Sequence, residues 1–253
     1  MLKTSQSIHL GGTAKSPDDV KDLHDMGLQF AEIPIIHPEE FVHQIEAYQR
    51  LKHELGIYYL CHGPREGDPN DLEALDESYF PRILKILPIM GRLGMFILTI
   101  HLWLDSRFVR QAAIDFKVQL LQRILDKAQD AHIMVCLENL SERASDMEIP
   151  FERLPLLNMT LDLGHAQLLT EENRAFGFLS RYPDKVRHIH MHDNRGGDSY
   201  LDDAHLCPGE GIIDFKRIFQ TLRDIGYTRT ISLELRPSEI RRCLDDVREL
   251  LSF

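Results

Sequence analysis

The 253-residue sequence has only four cysteines, at 61, 136, 207 and 243, and no C-x-x-C pair. That usage offers no disulfide framework and predicts reduced thiols and a cytoplasmic home. Cys61 in YYLCH and Cys136 in IMVCLEN sit in apolar runs, where a thiol is buried rather than reactive. No stretch approaches ~18 consecutive apolar residues, so no transmembrane helix is predicted. The first residues, MLKTSQSIHLGG, lack a long apolar core, so no secretory leader is predicted. Positive charge is scarce: 29 Lys and Arg against 40 Asp and Glu leave a net charge of −11. Phosphate backbones and anionic membranes call for a basic face, so nucleic acid and membrane are disfavoured partners, although bound divalent cations reverse the sign locally. Also missing are an internal repeat, a low-complexity linker and a G-x-G-x-x-G phosphate turn, since GGTAKS (11–16) has the wrong spacing.

What is present is a regular alternation. Hydrophobic residues make up 43% of the chain, enough for a substantial core. Strand-like runs fall at 7–10, 28–33, 57–62, 95–101, 132–139, 158–165, 185–193 and 230–235. Helical stretches follow at 16–27, 38–55, 76–93, 106–130, a short irregular segment after 139, 171–182, 214–225 and 237–251. Ser16 with Pro17, and Gly27, punctuate the first helix, and Gly226 follows the seventh. Pro81 and Pro88 are expected to shorten or kink the third. Leu120, Leu121, Ile124, Leu125 and Ala128 give the fourth an apolar stripe at helical spacing. Eight such units in one chain predict parallel strands with crossover helices, hence a single-domain (β/α)8 TIM barrel over 1–253.

The polar residues mark the strand ends. His62 ends the third strand-like run and His101 the fourth; Glu138 closes the fifth and Asp162 the sixth, with His165 in the turn after it. His190 lies near the end of the seventh, Asp203 and His205 in the loop beyond, and Glu234 near the end of the eighth. Singly, each has a plainer reading: a paired core carboxylate for Glu138, a turn cap for Asp162, a turn histidine for His62. A barrel, however, brings all C-terminal strand ends to one mouth. Imidazoles and carboxylates gathered there are expensive to desolvate unpaired, and divalent metal ions satisfy both. The sequence therefore predicts bound divalent metal, of the kind that imidazole and carboxylate together suit: zinc, manganese, iron or cobalt.

HIHMHD (188–193) puts three histidines on one strand face at three depths. His190 is the expected ligand, since the loop starts at Asp193. His188 is expected a layer deeper, bonded to a carboxylate, and His192 at or above the mouth, within reach of substrate. Satisfied interior histidines are the plainer reading of both. PGEG (208–211) offers backbone N–H groups to an anion or simply makes a turn.

LEN (137–139), LDLGHA (161–166), HIHMHD, D-A-H-x-x-PGEG (203–211) and the final LEL (233–235) resemble, in order across the whole chain, the xylose isomerase-like barrel superfamily. That group includes sugar and sugar-phosphate isomerases and epimerases and the endonuclease IV family of abasic-site nucleases. Its isomerases imply one metal on Glu138, Asp162, His190 and Glu234. Its nucleases imply three zinc ions on nine ligands: His62, His101, Glu138, Asp162, His165, His190, Asp203, His205 and Glu234. The nuclease loops are not matched: Leu102-Trp103, Leu140-Ser141-Glu142-Arg143 and Pro34-Ile35-Ile36-His37-Pro38 stand in their places.

The resemblance thus implies a metal-dependent sugar or polyol isomerase or epimerase. Glu138 and Glu234 would trade a proton at a metal-bound enediolate, and His165 and His205 would orient hydroxyls, with Trp103 as an apolar wall. The alternatives are an endonuclease IV-like zinc phosphodiesterase and a dehydratase or idle sugar-binding relative. A small carbohydrate is the expected partner, and a homo-oligomer is compatible with either outcome.

Overall fold

A computed structural model describes residues 8–252. Residues 1–7, which include Ser7, the first residue of the expected first strand, and the beginning of the stretch read above for a leader, lie outside the described residues. The strands are β1 (His9–Thr13), β2 (Phe30–Pro34), β3 (Tyr58–His62), β4 (Ile97–Ile100), β5 (Met134–Glu138), β6 (Asn158–Asp162), β7 (Val186–Met191) and β8 (Thr230–Leu233). All pair in parallel, and β8 returns to β1 with His9 opposite Thr230, which closes the barrel. The major crossover helices are α1 (Pro17–Asp25), α2 (Ile45–Leu55), α3 (Phe80–Leu93), α4 (Gln111–Asp130), α5 (Glu148–Arg153), α6 (Ala175–Arg181), α7 (Phe215–Asp224) and α8 (Pro237–Leu251). No helix among the described residues is long and apolar enough to cross a membrane.

Side chains alternate between the barrel interior and the helix layer. Phe30, Leu60, Ile97 and Cys136 form a separate apolar plug inside the barrel. Two residues further along the same strands come Glu32, His62, Thr99 and Glu138. Thr99 Oγ1 bonds Thr160 Oγ1 at 2.8 Å across the interior, and two residues beyond these stand His101 and Asp162. The interior thus grades from apolar at the base through hydroxyls to imidazoles and carboxylates at the mouth. The outward set, with Ile33, Leu98, Val135, Leu161, Ile189 and Ile231, belongs to the main core beneath the helices.

Several expected boundaries shift for physical reasons. β1 extends through Gly11 and Gly12 to Thr13, beyond the strand-like run expected over 7–10. A Cβ on Gly11 would stand 2.4 Å from the Phe30 ring, so the glycine makes room for the plug. The stretch 38–55 breaks into a turn at Pro38–Phe41, a 3-10 turn at Val42–Gln44, and α2. The helical run starts before residue 76, with a short turn at Leu72–Ala74 and a π-helical turn at Leu75–Tyr79 leading directly into α3; Pro81 lies just after the π turn, and Pro88 sits on the exposed face of α3. The helix expected from 106 starts only at Gln111, because Asp105 takes the backbone N–H and guanidinium of Arg107 and holds that stretch as a loop.

Replacing Gly11 by alanine should force the Phe30 ring aside and destabilise the fold by about 1–3 kcal/mol. Denaturant unfolding reads this directly, and an unchanged midpoint would show that the plug is not packed as described.

Candidate metal centre

The mouth is built from the last inward residues of the strands and the turns after them. His190 Nδ1 is its focus. Glu138 Oε1 and Glu234 Oε1 each lie 3.2 Å from it, and Asp162 Oδ2 lies at 3.8 Å. The pairing of β6 with β7 sets Asp162 directly opposite His190. His190 Nδ1, Glu138 Oε1 and Asp162 Oδ2 are all buried without a hydrogen-bond partner. Three carboxylate oxygens converging on one imidazole nitrogen, in a low dielectric, repel one another unless a cation sits among them. Mixed carboxylate and imidazole donors suit zinc and manganese. The residues present therefore fit a divalent ion.

The remaining sequence candidates gather around this point. The other Glu138 oxygen, Oε2, lies 2.6 Å from His101 Nε2 and 3.4 Å from His62 Nε2. His62 Nε2 is also 3.8 Å from Glu234 Oε1. On the opposite flank, His165 Nε2 and His205 Nε2 meet Asp203 Oδ2 at 3.3 and 3.2 Å. His205 has a left-handed backbone, φ 43°, a strained conformation for a residue with a Cβ. Its Nδ1 contact with the Glu234 carbonyl, 2.9 Å, holds it there.

His192 does not stand free above the mouth. It is fully buried, stacked on His205 with ring centroids 3.9 Å apart, and its Nε2 lies 3.2 Å from Asp162 Oδ1. Donor atoms of His165, His192, Asp203 and His205 all lie within 4.8 Å of one another. Gly164 permits this packing, since a Cβ there would reach 2.0 Å from the His192 ring. His188 lies beneath, fully buried, with Nδ1 2.7 Å from Thr230 Oγ1.

Sequence reasoning missed the carboxylate that His188 meets. Glu32, 1% exposed, lies 3.2 Å from His188 Nε2 and 3.1 Å from His190 Nε2. An ionised carboxylate only accepts, so both Nε2 atoms carry hydrogen. Burial lowers the His190 pKa, but Glu234, Glu32 and Glu138 outweigh it and raise it well above its usual value, and its Nδ1 faces the centre, where a metal ion would displace the second proton. The signal was a lone acid in FAEIP, two residues after the inward Phe30. Burial works against the charge on Glu32, but His190 and His188 outweigh it and hold the carboxyl well below its usual range.

The same opposition runs through the site. Burial lowers the pKa of His62, yet Glu138, Glu234 and Glu32 raise it to about 9. His205 likewise rises to about 9 against burial, through Asp203 and Glu234. Glu138 is depressed by His101 and His190 despite burial. Protons stand in for cations here, and a metal ion entering the cluster must displace them.

The surrounding loops are braced by charge. Asp193, the end of HIHMHD, accepts the N–H groups of Asn194 and Ile213 on one oxygen and those of Gly209 and Gly211 on the other. The PGEG amides thus serve an internal carboxylate. Trp103 is fixed rather than free: its indole N–H donates to Ser141, its backbone N–H to Glu66, and its carbonyl accepts from the buried Lys117. Lys117 and Glu66 pair at 2.7 Å behind it. An open cavity of about 1260 Å³ reaches the centre, lined at its floor by His62, His101, Glu138, His165, His205 and Glu234. Trp103, His188 and His192 are not in its lining.

The profile of the xylose isomerase-like TIM barrel family matches residues 20–251. An inosose dehydratase of Bacillus licheniformis is 30% identical over 92 residues, which is 31% of this chain and 30% of that one. The chain spans about half the length of the first curated relatives it matches, two proteins of Methanocaldococcus jannaschii. A D-tagatose 3-epimerase-like protein superposes with a TM-score of 0.77 at 20% identity, covering 96% of this chain and 98% of that one. An IolI protein with a bound zinc atom superposes with 0.82 at 15% identity, covering 97% and 98%. At these identities the structural likeness shows the fold.

Exchanging Glu32 for glutamine keeps its shape and removes the charge that orients His190. Zinc affinity, measured by competition with a chelator, should fall about 10- to 100-fold. Affinity unchanged from wild type would mean that Glu32 merely fills space.

Proposed function

The chain belongs to the xylose isomerase-like TIM barrel family, and from that premise we propose that it is a divalent-metal-dependent isomerase or epimerase of a small sugar or polyol. Glu138, Asp162, His190 and Glu234 hold the ion. The observation that carries the reading is the convergence of three carboxylate oxygens on the buried His190 Nδ1, with two of those carboxylates, Glu138 and Glu234, lining the floor of an open cavity. A divalent cation there supplies Lewis acidity, which makes a C–H beside a carbonyl acidic enough to exchange.

The chain's own residues do the rest. Glu138 and Glu234 come from β5 and from just beyond β8, so a substrate entering between them presents a different side to each. Glu234, the more accessible of the two, takes the carbon-bound proton on a carboxylate oxygen. Glu138, which draws a proton from His101 Nε2 at 2.6 Å from its Oε2, passes it to the carbon, which inverts the carbon or moves the carbonyl along the chain. His165 and His205 line the same floor and orient hydroxyl groups. The D-tagatose 3-epimerase-like neighbour is consistent with this chemistry.

The matched inosose dehydratase favours a second reading. Loss of the same proton followed by departure of a neighbouring hydroxyl gives dehydration, with an imidazole at the floor donating the proton that leaves as water.

Zinc- or manganese-loaded protein should incorporate solvent deuterium at a carbon of at least one ketose in a panel of keto sugars. The Glu234→Gln variant should slow that exchange by about 100-fold or more. Exchange with net isomerisation supports the first reading, and a product lighter by one water supports the second. No exchange on any sugar contradicts both.

A further inference from the structure

We propose that Cys207 and Cys243 form a redox modification site, in which a hydroperoxide oxidises Cys207 and Cys243 then closes a reversible disulfide between the loop behind His205 and helix α8. The pair lies outside the metal centre, and its chemistry does not depend on the reaction run there.

All four cysteines are free and buried. Cys61 and Cys136 belong to β3 and β5, are 0% exposed, and have thiols that burial pushes up. Cys207 and Cys243 differ in being neighbours. Cys207 follows the bridge between Asp193 and Leu206, and Cys243 meets it from α8. Both sulfurs rest on one atom, the Glu239 carbonyl oxygen, at 3.4 Å from Cys207 Sγ and 3.5 Å from Cys243 Sγ. The two thiols also hydrogen-bond each other. Sulfurs that share an oxygen and touch one another have the proximity that a disulfide demands.

The pair is not symmetric. Arg242 Nη2 donates to Cys207 Sγ at 3.2 Å and to Glu210 Oε1 at 2.9 Å. A guanidinium beside a sulfur favours its nucleophilic form. Cys243 Sγ meets carbonyls instead, those of Glu239 and, at 3.7 Å, Ile240. Burial and the neighbouring Cys207 push its thiol up to about 12. Cys207 is therefore the attacking sulfur and Cys243 the one that resolves. The Arg242 side chain that touches Cys207 is 61% exposed, which gives a small peroxide a short way in.

One equivalent of oxidant completes the chemistry. The Cys207 sulfur attacks the outer oxygen of the hydroperoxide, ROOH; an S–O bond forms, the O–O bond breaks, and the thiol proton leaves with the alkoxide as ROH. The sulfur loses two electrons and the peroxide gains them. The Cys243 sulfur then attacks the sulfenic sulfur; the S–S bond forms, the S–O bond breaks, and the departing hydroxide takes the Cys243 proton as water. A thiol reductant reverses the link by exchange.

The link ties together two segments that both reach the mouth. Cys207 lies two residues after His205, and α8 begins three residues after Glu234. In the reduced chain the exposed Arg242–Glu210 pair bridges the same two segments, and such a pair holds weakly in water. A covalent bond makes the tether firm until it is reduced.

The test treats the zinc-loaded full chain with hydrogen peroxide, alkylates the remaining thiols under denaturing conditions, and maps the disulfides by mass spectrometry. The expected product is lighter by two hydrogens, carries a Cys207–Cys243 cross-linked peptide, is alkylated at Cys61 and Cys136, and reverts with dithiothreitol. The Cys243→Ser variant should stop at a sulfenic acid that dimedone traps on Cys207, and Arg242→Ala should slow the cross-link about tenfold. Amide hydrogen exchange over residues 203–211 should slow about tenfold on oxidation and recover on reduction. Four alkylated thiols after peroxide treatment that fully oxidises free glutathione overturn the proposal. So does Cys207 driven to sulfinic acid with no cross-link, a dimedone label on Cys243 in the wild-type chain, or a cross-link to Cys61 or Cys136. Unchanged amide exchange in the cross-linked chain overturns the tether.

Discussion

Buried carboxylates that face one another across His190 Nδ1 are the constraint on which the rest of the molecule depends. Water cannot neutralise them at this depth, and imidazoles supply only as much positive charge as protonation allows. The barrel must therefore either scatter these groups or concentrate them so closely that a divalent ion becomes the stable partner. Parallel closure with the β6–β7 register concentrates them. The cost is carried by layers beneath and around: Glu32 against His188 and His190, the Thr99–Thr160 bond, and the apolar plug of Phe30, Leu60, Ile97 and Cys136.

The loops extend the same logic outward. Asp193 gathers four backbone N–H groups from two segments and so shapes the loop that carries Asp203 and His205. Glu142 accepts from Leu104 and Leu140, joining the loops after β4 and β5, while burial pushes its carboxyl up to about 7. Glu66 and Lys117 brace Trp103 from behind. In each case a buried side chain holds backbone in place, whereas Glu138 Oε1, Asp162 Oδ2 and His190 Nδ1 at the centre have no hydrogen-bond partner.

Much of this was legible in the residues themselves. Strand ends that carry His62, His101, Glu138, Asp162 and His190 could be recognised because a closed barrel has one mouth and alternation has one period. All nine candidate ligands come together there. Less legible was anything decided by close approach. That the first strand continues through Gly11 is explained only once the Phe30 ring is in place against it. His192 looks like a substrate contact until Gly164 is seen to admit its ring against His205 and Asp162. Glu32 is 156 residues from His188 in sequence, and one acid in an apolar strand gives no sign of which partner waits across the barrel. The roles of Asp193 and PGEG were invisible for the same reason: backbone N–H groups have no signature in a sequence.

The central claim is a location, and crystallography of the zinc-loaded protein at the zinc absorption edge tests it most directly. The account predicts an anomalous peak in contact with Glu138, Asp162, Glu234 and the Nδ1 of His190, with His190 Nε2 still turned to Glu32. A peak elsewhere, or full zinc loading with those four side chains parted, would contradict it.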